Sequence, residues 1–268
     1  FNINRVEQKK IMAGDRGISK YPVAFVPDAY GSAFPPYGLF STSDGLVTLD
    51  PNNEIEGLDP NDRSPDDFVP FSNERRYNFA PDNYLFTPSS RLSAFTKAHY
   101  DITDDIRAIG QFTYNQRKSV TQIAAVPLTM GFSGPQWDIP ISADSIYNPF
   151  GEQINASGFR SNPIGPRTTI QDYDTYFGTV GLEGSFEAAD RYFNWDVTYS
   201  RGESSRPEIG ENFVNLSNLR NALGPSFENA DGEIVCGTPG DVVSGCVPLN
   251  LFNGVTGFTD EMADYVGY

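Results

Sequence analysis

The nine residues Tyr192–Ser200, YFNWDVTYS, decide the fold. Phe193, Trp195, Val197 and Tyr199 alternate with Asn194, Asp196, Thr198 and Ser200. Successive side chains of a strand point to opposite faces, so this stretch has one greasy, nearly all-aromatic face and one wet face. The preceding segment repeats the pattern. Tyr176, Gly178, Val180, Leu182, Gly184 and Phe186 oppose Thr175, Thr179, Gly181, Glu183 and Ser185, with Phe177 as the exception. Upstream, Ile106, Ala108, Gly110, Phe112 and Tyr114 oppose Arg107, Ile109, Gln111, Thr113 and Asn115. Earlier still, Leu92, Ala94, Thr96, Ala98, Tyr100 and Ile102 oppose Ser93, Phe95, Lys97 and His99. These are four strands, and a weaker fifth is expected over Phe1 to Met12.

The connections carry the next step. Thr103-Asp104-Asp105 joins one strand pair and Glu187 to Arg191 joins the other, both short. More than 50 residues separate Lys118 from Tyr173, nearly 80 separate Met12 from Arg91, and more than 60 follow Glu203. Connections this long are uncommon in compact soluble domains. Short and long connections alternate strictly. In an antiparallel sheet, that puts the short turns at one end and the long loops at the other. Outer-membrane barrels have this asymmetry, with short periplasmic turns and long extracellular loops. Tyr100, Phe186, Tyr192 and Phe193 cluster beside the short turns, where an interfacial aromatic girdle would lie. A soluble β-sandwich explains the alternation equally well, but the asymmetry and the one-sided aromatics less well.

Composition narrows the classes. The 268 residues are enough for one large domain or two small ones. A content of 20 Phe and 14 Tyr is high for a disordered tail and suits a pleated, half-buried surface. No apolar run is long enough for a membrane-spanning helix. The first residues, Phe1-Asn2-Ile3-Asn4-Arg5, carry no signal-peptide pattern. A net charge of −16 would repel a phosphate backbone, so nucleic acid is not an expected partner. One His and two Cys supply no structural zinc set. Only a handful of the 35 acidic residues fall in the strands, as expected if the charge decorates loops.

Several segments together resemble a known family. RYNFAPDNYLFTPSSRLSAFTKAHYDITDDIRAIGQFTYNQRKS (Arg76–Ser119) is similar to the barrel of TonB-dependent outer-membrane receptors. So are PISADSIYNPFG (Pro140–Gly151), GPRTTIQDYDTYFGTVGLE (Gly165–Glu183) and NWDVTYSRG (Asn194–Gly202). NLSNLRNALGPS, CVPLNLF and DEMADYVGY match the same family's next loop, so the resemblance spans roughly Arg76 to Tyr268. It implies an all-β fold: about five antiparallel transmembrane strands of an incomplete barrel, with long extracellular loops, over residues 1–268. The family barrel has about 22 strands closed around a plug. Neither a plug, nor a TonB-contacting segment, nor a final strand ending in an aromatic residue is found here. Five strands cannot close a barrel, since about eight is the smallest number. The expectation is therefore a middle portion of a longer polypeptide. The implied function is import of a scarce nutrient (an iron chelate, cobalamin, a sugar or a peptide) powered through TonB. The implied partners are outer-membrane lipid, the nutrient, and TonB through the missing N-terminal part. An adhesive or structural surface protein, whose loops bind proteins or polysaccharide, is the alternative. A soluble ligand-binding β-sandwich is a third reading.

Inside the loops, Leu39–Leu49 reads as a hairpin around Asp44-Gly45. Ser217 to Leu223 reads as a short helix ended by Gly224, and Thr259 as the N-cap of another. Cys236 and Cys246 flank a Gly/Pro-rich loop in what would be an oxidising compartment, and read as a disulfide worth about 2–3 kcal/mol. A metal reading lacks His partners, and a redox reading lacks a close CxxC. The acidic stretch Asp59–Asp67 offers oxygen ligands for Ca²⁺ without EF-hand spacing, and reads better as a solvated loop. His99 has no nucleophile motif beside it, and no catalytic residues or cofactor are expected. Glu183 and Asp196, with Lys97, Arg107 and Arg117, read as a polar lumenal lining rather than an enzyme's carboxylate pair. Trp137, Tyr147, Phe150 and Arg160 are the candidate ligand contacts, because rings stack on flat ligands and Arg clamps anions. Packing of the loop against its neighbours is the other reading of each, and the favoured one.

Overall fold

A computed structural model describes residues 1–22, 30–53 and 63–268. The described chain is mostly β, in antiparallel sheets. Its strands begin with β1 (Asn2–Gln8), β2 (Ile11–Met12), β3 (Leu39–Thr42), β4 (Gly45–Leu49), β5 (Phe68–Pro70) and β6 (Tyr84–Phe86). Next come β7 (Ser89–Asp101), β8 (Ile106–Ile123), β9 (Pro127–Leu128), β10 (Ser157–Arg160), β11 (Arg167–Ala188) and β12 (Arg191–Ser205). The last are β13 (Glu208–Glu211), β14 (Ser226–Glu228), β15 (Ile234–Thr238) and β16 (Asp241–Val242). Three helices are α1 (Leu216–Ala222), α2 (Gly254–Gly257) and α3 (Asp260–Val266). The chain divides into two compact units.

The first unit comprises Phe1–Ile11, Leu85–Thr121 and Thr169–Gly210. It is a sheet of order β1-β7-β8-β11-β12, with β13 also paired to β11. The five expected strands are therefore present and adjacent. Register follows the sequence pattern. Leu92 faces Gln116, Ala94 faces Tyr114 and Ala98 faces Gly110 across β7 and β8. Val180 faces Tyr199, Leu182 faces Val197 and Gly184 faces Trp195 across β11 and β12. Between β8 and β11, side chains join Thr121 to Thr169, Ser119 to Gln171, Lys118 to Asp172 and Arg107 to Glu183. One index falls as the other rises, so this pair also runs antiparallel. These links extend β8 to Ile123 and start β11 at Arg167, beyond the boundaries that alternation alone suggests.

The two short turns differ in their devices. At 103–105, the Ile102 and Thr103 N–H groups donate to the Ile106 carbonyl, and the Asp105 N–H donates to Thr103 Oγ1 at 3.3 Å. The β11–β12 turn is two residues long, with φ of 53° at Ala189 and 57° at Asp190. Positive φ at both central residues is the primed turn geometry, which matches the twist of a hairpin. It is adopted here without the glycine that usually relieves it.

The second unit comprises Met12–Tyr84, Gln122–Thr168 and Glu211–Tyr268, the three long connections folded together. Its main sheet has the order β5-β4-β3-β10-β9, so a strand from the second connection pairs with the hairpin of the first. That hairpin is β3–β4, with Thr42 opposite Gly45 and Phe40 opposite Val47. α1 is capped by Asn215, whose side chain accepts from the Ser217 and Asn218 N–H groups. The Thr259 hydroxyl caps α3 by accepting from the Met262 N–H, as its sequence position implies. The core is aromatic. Phe40 stacks on Phe252 at 4.6 Å between ring centroids, and Phe68 meets both edge-on. Leu128, Ile139, Ile154, Phe159, Leu219 and Leu251 are fully buried around them. Burial on this scale offsets the ordering entropy of long loops rich in Gly and Pro.

Candidate functional site

The sheet of the first unit has two chemically distinct faces. Register places Tyr100, Phe112, Val180, Leu182, Phe186, Phe193, Trp195, Val197 and Tyr199 on one of them. These are large apolar side chains left largely open: Tyr100 is 73% exposed, Val180 61%, Val197 69% and Tyr199 67%. The rings are ordered against each other. Phe186 stacks on Phe193 at 5.3 Å, and Tyr114 stacks on Tyr176 at 4.9 Å. Trp195 lies over Gly184, where an added Cβ would meet the indole at 2.7 Å. Glycine there lets the largest side chain of the face lie flat against the sheet.

The opposite face is mainly polar, although Phe95, Ile109 and Phe177 also lie on it. Arg107 donates to Asp101 at 2.6 Å and lies 3.6 Å from Glu183. Glu183 sits directly across from Asp196, and like charges in that arrangement repel unless a cation intervenes. Arg107 is that cation for Glu183. Hydroxyl pairs, Thr179 with Ser200 and Thr175 with Ser204, continue the face. His99 is exposed and opposite Ile109. Among the described residues no group of three or more His, Cys, Asp or Glu is arranged to hold a metal ion. In the acidic stretch Asp59–Asp67, residues 59–62 lie outside the described residues. Asp67 accepts from the Ser64 N–H at 3.0 Å and lies 3.8 Å from Arg63.

The four candidate ligand contacts lie in the second unit, and each makes a packing contact there. Tyr147 is buried within the core. Burial, then the charge of Glu261, raises its phenol pKa. Phe150 packs on Phe68 and Phe252, and Trp137 packs against the same cluster. Arg160 is 4% exposed, donates through Nη1 to the Ala125 carbonyl at 2.9 Å, and has the rings of Tyr77 and Phe79 within 6 Å. Burial, then repulsion from Arg167, pushes its guanidinium down to about 10. The Tyr77 phenol donates to Asp82 at 3.0 Å and is raised chiefly by burial. Stacking between rings holds a cation with little water, a role for which guanidinium is better suited than ammonium.

Cys236 and Cys246 form a disulfide. It ties β15 to the chain just after β16, in a three-stranded sheet of order β14-β15-β16. An adjacent arginine pair, Arg75-Arg76, lines a cavity of about 430 Å³ in the second unit. The sequence reading passes over this pair. Two neighbouring cations occur also at Lys9-Lys10 and Arg117-Lys118, so no local signal singles it out. No family model matches this chain, and no curated protein matches it.

Proposed function

We propose that this chain is a middle portion of the β-barrel of a TonB-dependent outer-membrane receptor. In this reading the apolar face of the β1-β7-β8-β11-β12 sheet contacts lipid, and the polar face lines the lumen. The long connections lie outside the cell and meet the nutrient, and the short turns lie in the periplasm. Transport requires the plug and the TonB-contacting segment supplied by the rest of the polypeptide. One observation carries the reading: an apolar band, open across four neighbouring strands between the short turns and the Tyr114–Tyr176 pair, backed by a mainly polar face. In water so large an apolar patch costs free energy and invites association. In a bilayer it is the required surface, and β7, β8, β11 and β12, of 13 to 22 residues, exceed the ~9–11 needed to cross, while β1 with 7 falls short. The wall contributed here is binding and passage, not bond chemistry.

Surface labelling of cells producing the polypeptide tests the topology. Asp231→Cys, in the loop between β14 and β15, is expected to react with an impermeant maleimide on intact cells. Thr103→Cys, in a short turn, is expected to react only after the outer membrane is permeabilised. The native cysteines are paired and silent. Equal labelling of both positions on intact cells, or of neither after permeabilisation, refutes the arrangement.

A further inference from the structure

We propose that the cavity walled by Arg75 and Arg76 binds a small ligand that presents an oxyanion, carboxylate or phosphate, on an apolar body. This goes beyond the transporter reading, because it concerns the chemistry of one ligand site and holds whether or not the sheet lies in lipid.

The two guanidinium groups are prepared differently. Arg76 donates through Nε to Asn73 Oδ1 at 2.9 Å and through Nη1 to the Gly31 carbonyl at 3.4 Å. Both acceptors are neutral, so they fix the side chain without cancelling its charge. Arg75 closes the short 3₁₀ turn Asn73–Arg75, which places it beside Arg76 on the cavity wall. Its side chain has no hydrogen bond or ion pair among the described residues. Both residues are half-buried. A partly desolvated guanidinium normally recruits a carboxylate, and this chain has 35 acidic residues from which to draw one. Two adjacent guanidinium groups without one, lining a concavity, form a fork for a bidentate oxyanion.

The remaining wall selects the body. Pro35, Pro36 and Pro51 with Tyr37 and Leu49 give part of it a rigid, apolar surface with little side-chain entropy to lose on contact, and Thr48 and Asn78 add polar groups beside them. Glu74 also lines the cavity, is exposed, and lies beyond 4 Å of both arginines among the described ion pairs. It opposes the anion by charge, so the guanidinium groups prevail only at short range, inside the concavity.

Saturation-transfer NMR and calorimetry on the full chain, with benzoate, inorganic phosphate and neutral benzamide, test the inference. Benzoate is expected to bind in preference to benzamide. Arg75→Gln is expected to weaken benzoate about tenfold, the loss of one charge-assisted contact. Glu74→Gln is expected to tighten it about twofold, by removing a like charge. Phosphate displacing benzoate assigns the site to oxyanions in general, and failure to displace it assigns the site to carboxylates. Should Arg75→Gln not fold, protection of Arg75 from phenylglyoxal by benzoate in the unaltered chain is the readout. Equal binding of benzamide, unchanged benzoate affinity in a folded Arg75→Gln chain, no binding, or no protection overturns the inference. None of these results depends on the labelling pattern that tests the membrane topology, so the two proposals fail separately.

Discussion

Val197→Arg separates a lipid-facing sheet from a water-facing one. Val197 lies near the middle of β12, opposite Leu182, and is 69% exposed. Little protein packing is lost on substitution, so in water the change stays within about ±0.5 kcal/mol, as at other open surface sites. In lipid the arginine must carry its charge into hydrocarbon. Near the midplane of a barrel wall this costs about 2–4 kcal/mol, or roughly 30-fold to nearly a thousand-fold in the folding equilibrium. Thr198→Arg is the internal control, since the neighbouring position points to the polar face. The assay is urea unfolding in lipid vesicles of the longer polypeptide that completes the barrel, followed by tryptophan emission. A cost of about 2 kcal/mol or more for Val197→Arg, with under about 0.5 kcal/mol for Thr198→Arg, is the expected outcome. Equal, small effects of the two substitutions would refute the lipid-facing assignment, and a larger cost at Thr198 than at Val197 would refute the assignment of faces, because a one-residue slip inverts every side chain.

Replacing Ala189-Asp190 by Asn-Gly should stabilise the β11–β12 hairpin by about 1 kcal/mol, since both positions already have positive φ; a lower denaturation midpoint would contradict the turn assignment. Loss of the disulfide in Cys236→Ser/Cys246→Ser should cost about 2–3 kcal/mol in the second unit, read as faster amide exchange in β14–β16, and unchanged exchange would count against it. Tyr147 makes a pH prediction. Its folded pKa is raised, so the folded state holds the phenolic proton more tightly than the unfolded chain does. Its contribution is then complete below the unfolded phenol pKa of about 10 and is lost as pH rises from there through the raised folded value. The stability difference between the native chain and Tyr147→Phe should be flat up to about pH 9 and fall above about pH 10. A flat difference throughout would show that Tyr147 is not desolvated.

The two units were not equally legible in the sequence. A strand in a two-faced sheet has only two environments, so period-two alternation recovers the faces of β7, β8, β11 and β12, while the pairing of Leu182 with Val197 comes from the two-residue turn. The ends of β8 and β11 were less legible, because links such as Lys118 to Asp172 depend on which strands become neighbours. The core of the second unit was hidden for the same reason in stronger form. Phe40 and Phe252 stack although they are far apart in the chain, and no local pattern marks either as the other's partner. Caps were readable, as at Thr259, because capping is local chemistry. Arg160 looked like an anion clamp by residue type, yet its position on buried β10 places Tyr77 and Phe79 beside it. Arg75 and Arg76 share their pattern with Lys9-Lys10 and Arg117-Lys118, so charge alone does not mark them, and the cavity beside them comes from Pro35, Pro36 and Pro51, well removed in sequence.

Trp195 gives the most direct test of the proposal that the apolar face of the sheet contacts lipid. In the longer polypeptide that completes the barrel, replacing Trp137 and every tryptophan outside these 268 residues by Phe leaves Trp195 as the only indole reporter. In vesicles containing lipids brominated along the acyl chain, its emission should be quenched strongly, with little quenching by aqueous iodide. Strong quenching by iodide with no response to brominated acyl chains would place the apolar face in water and contradict the account.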